Sequence, residues 1–217
     1  MRVLYLYSGI RSGLIKKAKQ GEDPGDGTWG MLRLSHFGVT AGHLELEQFL
    51  PASFARFLRF YILGNYGAHL PFLFNFFRYD IVFTAGAFYS QFMFTLARTL
   101  LRFKRPLWVM HDFSIMGFLG EECTLRQKLF AFLVRRADGI VTVGKEEAAR
   151  LTKRFPHLTD RIAYIPFGVD TSFFAPRPLV PETRTVLAAG IDPDRDWVTL
   201  YRACEGLNAE VIAATRS

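Results

Sequence analysis

Cysteine is scarce in this chain of 217 residues, which carries only Cys123 and Cys204. Two cysteines cannot form a disulfide framework, so the sequence predicts two buried thiols in a reducing compartment. Long apolar runs are also missing. The charge-free stretch 60–77 contains Gly, Asn, His and Pro, and the stretch 81–97 divides at a glycine into a strand and a helix. Residues 1–8 are too short for a secretory signal. These absences favour a cytoplasmic protein over a membrane hairpin.

Several enzyme and binding motifs do not occur. There is no G-x-S-x-G of a serine hydrolase, no Walker loop and no G-x-G-x-x-G dinucleotide fingerprint. The five histidines show no metal-ligand spacing with one another or with the cysteines. The sequence therefore predicts no structural metal. No DNA- or RNA-binding motif accompanies the basic residues, so we expect no nucleic-acid partner.

The composition is that of a folded and basic chain. Half of the residues are hydrophobic and 22% are charged, which excludes disorder by composition. Lys and Arg outnumber Asp and Glu by 27 to 20, and phenylalanine occurs 22 times. A basic chain rich in phenylalanine suits an anionic surface that also accepts apolar side chains.

Strand and helix patterns alternate along the chain, which predicts an α/β fold with a doubly wound, Rossmann-like parallel sheet. Residues 16–27 are polar and predict an exposed, mobile loop. A helix from residue 90 to 103 carries its apolar stripe on Phe92, Met93, Leu96, Leu100 and Phe103, and Thr124 caps a helix through residue 136. The predicted strands are 3–7, 43–47, 80–84, 106–110, 139–143 and 161–165.

Three prolines follow residue 174 and predict a stiff connector over 175–184. The first domain is thus predicted at 1–174. Residues 185–217 form one βαβ pattern, which is too small to bury a core of its own and is interpreted as an incomplete second α/β domain.

Ligands of a doubly wound sheet bind at the carboxyl ends of its strands. Gly9 and Gly13 follow the first strand, where backbone N–H groups can approach an anion or a sugar. His111 ends a later strand and can contact a sugar hydroxyl or, when protonated, a phosphate. Asp112 stands beside it and can orient it or cap the next segment. We expect His111 to be the catalytic residue, and Gly9, Gly13 and Asp112 to bind the substrate.

Basic residues cluster on helical segments. Arg56 and Arg59 flank an apolar helix face that begins at Pro51, and two further basic clusters lie near residues 98–105 and 126–136. Such helices predict reversible contact with an anionic membrane surface; the alternative is a core-facing helix with solvated arginines.

The string Y-I-P-F-G-V-D-T at 164–171, followed by Phe174 and Pro176, resembles the interdomain signature I-P-N-G-V-D-x-x-x-F-x-P of family 4 glycosyltransferases. Phe167 replaces the asparagine of that signature. The resemblance covers nearly the whole chain. It implies a GT-B fold, with its amino-terminal acceptor-side domain at 1–174 and the start of its nucleotide-sugar-binding domain at 185–217.

The resemblance also implies roles for individual residues. Gly9 and Gly13 match the glycine loop near donor and acceptor, His111 matches a histidine beside the donor sugar, and Arg195 matches a basic residue that contacts the nucleotide diphosphate. It implies a nucleotide sugar and an acceptor, such as a lipid-linked one or an envelope polysaccharide, as partners, and no metal cofactor.

One family feature is missing. The donor site of such enzymes uses two glutamates eight positions apart, and no such pair occurs here. The isolated 217-residue chain is thus expected to be inactive by itself. Interpreted as a fragment, it is part of a hexosyltransferase that works in the cytoplasm or at the inner face of the membrane. Interpreted as complete, it is a non-catalytic sugar- or lipid-binding protein.

Overall fold

A computed structural model describes residues 1–58, 61, 76–111, 114–121, 123–175, 184–190 and 195–214. The chain forms two compact units, Met1–Phe174 and Ala175–Ser217. The assignment of the second unit to a nucleotide-sugar-binding domain stays a prediction.

The first unit is built on six parallel strands in the order β2-β1-β3-β4-β5-β6. The predicted α/β, Rossmann-like fold is therefore confirmed. The chain winds outward in one direction from β1 to β2 and in the other from β1 to β3, which is the doubly wound arrangement. The strands are β1 (Arg2–Tyr7), β2 (Thr40–His43), β3 (Ile81–Ala85), β4 (Leu107–His111), β5 (Gly139–Thr142) and β6 (Ile162–Tyr164).

Helices flank the sheet. The prediction of a mobile loop over 16–27 was wrong in its first part, because Ile15 packs into the core and three lysines in the last turn favour a helix end. The α-helices among the described residues of this unit are α1 (Ser12–Lys19), α2 (Ala52–Phe57), α3 (Phe88–Leu101), α4 (Ile115–Leu119), α5 (Leu125–Arg136) and α6 (Lys145–Arg154).

Both faces of the sheet are covered. In β1, Leu4 and Leu6 belong to one apolar cluster and Val3, Tyr5 and Tyr7 to another. Successive side chains of a strand point to opposite faces, so an uninterrupted apolar strand requires a layer on each side. The residues beyond the carboxyl end of β1 are therefore held on a rigid base.

The predicted apolar stripe of α3 is wrong for three of its five residues, whereas Phe92 and Phe103 pack against the core. Met93, Leu96 and Leu100 are exposed, whereas Gln91 and Phe94 are among the buried residues. The buried polar residue is tolerated because Gln91 donates to the hydroxyl of Thr84 over 3.2 Å.

The second unit contains β7 (Thr185–Ala189), α7 (Trp197–Cys204) and β8 (Glu210–Ala214), with β7 and β8 paired in parallel. Asp196 caps α7, because its carboxylate accepts the N–H of Thr199 at 2.9 Å. None of the described residues of this unit is buried.

Neither cysteine is buried: Cys123 is exposed and Cys204 is half-buried, so the prediction of two buried thiols was wrong. Among the described residues, no helix has the length and apolar character needed to cross a membrane.

Candidate functional site

The carboxyl ends of four strands meet at one edge of the sheet. Tyr7 is paired with Ala85, Ala85 with His111, and His111 with Val141. The N–H of Gly86 donates to the carbonyl of His111 at 3.1 Å, which ties the end of β4 to the turn after β3. The register thus places His111 two strands away from the end of β1, on the edge where ligands of such sheets bind.

His111 is buried among aromatic rings. Its side chain is only 2% exposed, and its ring centroid lies 4.3 Å from that of Trp29 and 5.8 Å from that of Phe83. Nδ1 lies 3.1 Å from the carbonyl oxygen of Val141. Because a carbonyl only accepts hydrogen bonds, this contact assigns the proton of the neutral ring to Nδ1 and the lone pair to Nε2.

Burial lowers the pKa of His111 below its ordinary value of 6.5, although the hydrogen bond to Val141 and the charge of Glu147 act in the opposite direction. The imidazole is therefore neutral at pH 7. A neutral ring with an acceptor nitrogen suits a hydroxyl group better than a phosphate, and the ligand of His111 stays a prediction.

A pocket of about 380 Å³ adjoins His111. Aromatic side chains form much of its wall, namely Tyr5, Trp29, Phe83 and Phe167. The ring of Trp29 meets that of Phe167 edge-on at 5.5 Å. Pockets of this kind, mostly apolar with a few polar groups, are typical binding sites for small molecules.

Trp29 has a left-handed backbone, with φ of 53° between two turns. This conformation costs a non-glycine residue on the order of 1–2 kcal/mol. The neighbouring Gly30 shares the left-handed region, with φ of 78°. The contacts of the indole with His111 and Phe167 offset this cost, so the tertiary structure selects a backbone conformation that places the indole in the pocket.

The segment that carries Phe167 continues into a turn that Asp170 caps. Its carboxylate accepts hydrogen bonds from Ser172 and from the N–H of Phe173, and it pairs with Arg33 at 2.6 Å. The Ser172 hydroxyl is the main cause that lowers the pKa of Asp170 to about 2. Phe167, which replaces the expected asparagine, is thereby held against the pocket.

The predicted glycine loop is only partly a loop. Gly9 follows β1, but Gly13 lies inside α1. A Cβ atom at either position would meet no other atom within 4 Å, so packing within the protein does not require glycine there. Their predicted contact with substrate stays a prediction.

Glu45 was missed by the sequence analysis. It was assigned to a strand over 43–47, whereas β2 ends at His43 and Glu45 turns inward, with 2% exposure. Its carboxylate accepts the backbone N–H groups of Arg11 and Ser12 and the Ser12 hydroxyl, the last at 2.6 Å. His43 Nε2 lies 3.1 Å from the same hydroxyl.

This arrangement changes the expected chemistry of the loop. The backbone N–H groups at the start of α1, which the sequence assigned to a ligand, already bind the carboxylate of Glu45. The sequence does show an acidic residue shortly after a short strand, which could have suggested Glu45 as a functional or structural carboxylate. Its hydrogen-bonding partners Arg11 and Ser12 lie more than thirty residues away in the chain, so the sequence does not identify them.

The remaining candidates are not among the described lining residues of this pocket. Asp112 and Arg59 lie outside the described residues. Arg56 is exposed on α2. Arg195 belongs to the second unit, where its guanidinium lies against Gly190; a Cβ atom there would come within 2.2 Å of it. Within the described ranges, no three His, Cys, Asp or Glu side chains gather as metal ligands, and the absence of a metal cofactor stays a prediction.

A comparison with protein families gives a match. The sequence profile of Glycosyltransferase Family 4 matches residues 39–173, more than half of the chain. No curated protein shows significant similarity to it. The matched segment runs from just before β2 to the capped turn after β6 and includes His111 and Phe167.

Proposed function

Because the chain belongs to glycosyltransferase family 4, we propose that it takes part in the transfer of a sugar from a nucleotide-sugar donor to an acceptor, and that the reacting sugar lies in the pocket beside His111. The observation that carries this proposal is the pocket of about 380 Å³ at the ligand-binding edge of the sheet, with His111 among its lining residues.

The chemistry of the pocket supports a sugar ligand. The hydroxyls of a sugar need hydrogen-bonding partners, and its C–H face packs on aromatic rings. His111 lines the pocket, and burial keeps its ring neutral, with one donor and one acceptor nitrogen. The rings of Trp29 and Phe167 supply an apolar wall. No charged donor group is needed at this point of the site.

The nucleotide diphosphate of the donor requires positive charge or N–H dipoles. We propose Arg195 of the second unit as one such group, supported by its exposure and by the family position that it matches. Gly9 and Gly13 remain candidates for the loop that approaches the ligand, and Asp112 for the group beside His111.

Binding and transfer are tested separately. The 217-residue chain is titrated with free hexoses and with nucleotide sugars, and the change in tryptophan fluorescence reports binding near Trp29. We expect His111→Ala to weaken sugar binding about tenfold, which is the loss of one good hydrogen bond in a buried site. His157→Ala, at an exposed position, is the matched control and should bind as the wild type does.

Transfer is measured as release of the nucleoside diphosphate in the presence of an acceptor. Sugar binding with transfer that falls at least about tenfold in His111→Ala supports an enzyme. Sugar binding without any release agrees with the inactivity expected of the isolated chain, and it is the result for both an enzyme fragment and a non-catalytic sugar-binding protein. Equal sugar affinity in a well-folded His111→Ala variant contradicts the proposed site.

We also propose that α2 contacts an anionic membrane, where a lipid-linked acceptor would be reached. The phenylalanines of this short helix point outward, since Phe54 is 50% and Phe57 48% exposed, and Arg56 is exposed between them. Each arginine near such a surface contributes about 1 kcal/mol.

Co-sedimentation with anionic and neutral vesicles, at low and high salt, tests the membrane contact. Binding to anionic vesicles should fall with salt and in Arg56→Glu, because charge attraction is screened over about 8–10 Å. Arg150→Glu, on the exposed surface of α6, is the matched control. Failure to bind anionic vesicles at low salt contradicts this proposal.

A further inference from the structure

A second pocket lies at the opposite edge of the sheet from His111. It lies next to the C-terminal ends of α3 and α5 and the N-terminal ends of β4, β5 and β6. Its volume is about 460 Å³. Since β4 has five residues at about 3.3 Å each, roughly 15 Å of strand separates this pocket from His111. It is therefore distinct from the proposed sugar site.

The second pocket is strongly basic. Asp138 is the only acid among its described lining residues. Six lining side chains are cationic: Arg98, Arg102, Lys104, Arg135, Arg136 and Arg161. Five positive charges are thus in excess around a space large enough for a small-molecule ligand.

The carboxylate of Asp138 is already occupied. Arg98 binds both of its oxygens, at 2.5 and 3.0 Å, and the N–H of Trp108 donates to it at 2.8 Å. This pair holds α3 to the start of β4 and β5. It accounts for Arg98 as a structural residue, and Arg161 donates to the carbonyl of Ala137 at 3.3 Å.

Helix ends explain only part of the charge. Cations are favoured at a helix C-terminus because the backbone carries about half a negative charge there. The C-termini of α3 and α5 together supply about one negative charge. This is well below the excess of five positive charges around the pocket. Arg135 and Arg136 also pack over the rings of Phe155 and Phe132, which fixes the positions of their guanidinium groups.

We infer that this basic pocket, defined by Arg98, Arg102, Lys104, Arg135, Arg136 and Arg161, binds a phosphate group of a ligand other than the sugar donor. Arginines from three separate segments converge on one space, as recognition of an anion with several oxygens requires. A phosphorylated small molecule and the head group of a phospholipid share this chemistry. This inference does not depend on the proposed glycosyl transfer.

The test uses two exposed cations that have no role in the Arg98–Asp138 pair. Arg102→Gln/Lys104→Gln removes two positive charges from the rim, and Lys128→Gln/Lys153→Gln removes two from exposed positions of α5 and α6 outside the pocket. Inorganic pyrophosphate is titrated into each protein by calorimetry. Thermal unfolding without ligand checks that both variants fold as the wild type does.

We expect the wild type and the control variant to bind pyrophosphate with the same affinity. The Arg102→Gln/Lys104→Gln variant should bind it at least about tenfold more weakly, as expected for the loss of a charge-assisted hydrogen bond.

A second experiment uses phosphatidylcholine vesicles with and without phosphatidate, in a background of Arg56→Glu to remove the contribution of α2. Phosphatidate-dependent binding that the pocket substitutions abolish assigns the phosphate to a lipid, whereas pyrophosphate binding alone assigns it to a soluble ligand.

Two results overturn the inference. One is the absence of binding to both pyrophosphate and phosphatidate vesicles. The other is an equal loss of binding in the control variant, which would mean that the ligand responds to net charge and not to this pocket.

Discussion

Glu45 and Ser12 join the end of β2 to the start of α1. The Ser12 hydroxyl donates to Glu45 Oε2 at 2.6 Å, and the backbone N–H of Ser12 donates to the other carboxylate oxygen at 3.2 Å. The N-terminus of α1 has no capping side chain of its own, so a residue from the segment after β2 provides the cap. The loop after β1 is thereby fixed at the edge of the sheet where His111 lies.

Replacing Glu45 with alanine should destabilise the protein by about 2–3 kcal/mol, because two backbone N–H groups and one hydroxyl lose a charged acceptor. Glu45→Gln keeps one carbonyl acceptor and should cost about half as much. Urea unfolding measures both, with Glu22→Ala at an exposed position as the control. Equal stability of Glu45→Ala and Glu22→Ala would show that the cap contributes nothing.

The lowered pKa of His111 predicts a pH dependence of stability. Below pH 6.5 the unfolded chain takes up a proton on this residue before the folded protein does, so the free energy of unfolding falls as the pH drops from 6.5 through the lower folded pKa. His111→Asn retains a donor for the carbonyl of Val141 and cannot be protonated. Its unfolding free energy should vary less over this window than that of the wild type.

His43 has a lowered pKa from the same cause, desolvation, and serves as the comparison. His43→Asn should also reduce the pH dependence of the free energy of unfolding, by an amount separate from that of His111→Asn. An unchanged slope in His111→Asn contradicts the buried, neutral state assigned to His111.

Asp138→Asn should destabilise the first unit by about 2 kcal/mol, because it leaves the guanidinium of Arg98 without its carboxylate and weakens the acceptor for the N–H of Trp108. Asp160→Asn, at an exposed position, is the control and should change stability by less than about 0.5 kcal/mol. The free energy of unfolding in urea gives both values, and a similar effect of the two substitutions would contradict the role of Asp138.

Thr124 and Gln127 form a capping box at the start of α5: the Thr124 hydroxyl accepts from the N–H of Gln127, and the side chain of Gln127 accepts from the N–H of Thr124. Thr124→Ala should cost about 1 kcal/mol, whereas Thr124→Ser should be close to neutral. Thermal unfolding of the two variants separates the hydroxyl from the methyl group; equal loss in both would assign the effect to packing.

The second unit should exchange its amide hydrogens much faster than β1. Five of the six residues of β1 are buried, whereas none of the described residues of β7, α7 and β8 is. Local opening is easier where few buried apolar contacts must be broken. Hydrogen exchange measured by mass spectrometry compares Thr185–Ala189 with Arg2–Tyr7, and equal protection contradicts this expectation.

Local patterns were sufficient for much of the first unit. The end of β4 at His111 and the helix after Thr124 follow from a short apolar strand and a capping residue, both of which are contained in a few consecutive residues. The capped turn at Asp170 follows in the same way, because its donors lie within three residues of its acceptor. The interdomain signature is also local, and it led to the family.

The face of α3 and the cap of α1 did not follow from local patterns. The apolar spacing predicted that Met93 and Leu100 lie on the buried face of α3. In the structure, α3 packs over β3, where the hydroxyl of Thr84 accepts a hydrogen bond from Gln91. The polar side chain of Gln91 is therefore buried, and the side chains of Met93 and Leu100 are exposed. Local propensity cannot report a hydrogen-bonding partner that another strand supplies.

The sequence by itself determined the alternation of strands and helices, the position of His111 at a strand end and the excess of positive charge, since each depends on residue type and spacing along the chain. Only the tertiary structure decided that His111 is neutral among Trp29 and Phe83, that Glu45 occupies the start of α1, and that scattered arginines converge on one pocket. These properties depend on burial and on distances between residues far apart in the chain, and both are set when the strands pair and the helices pack on them.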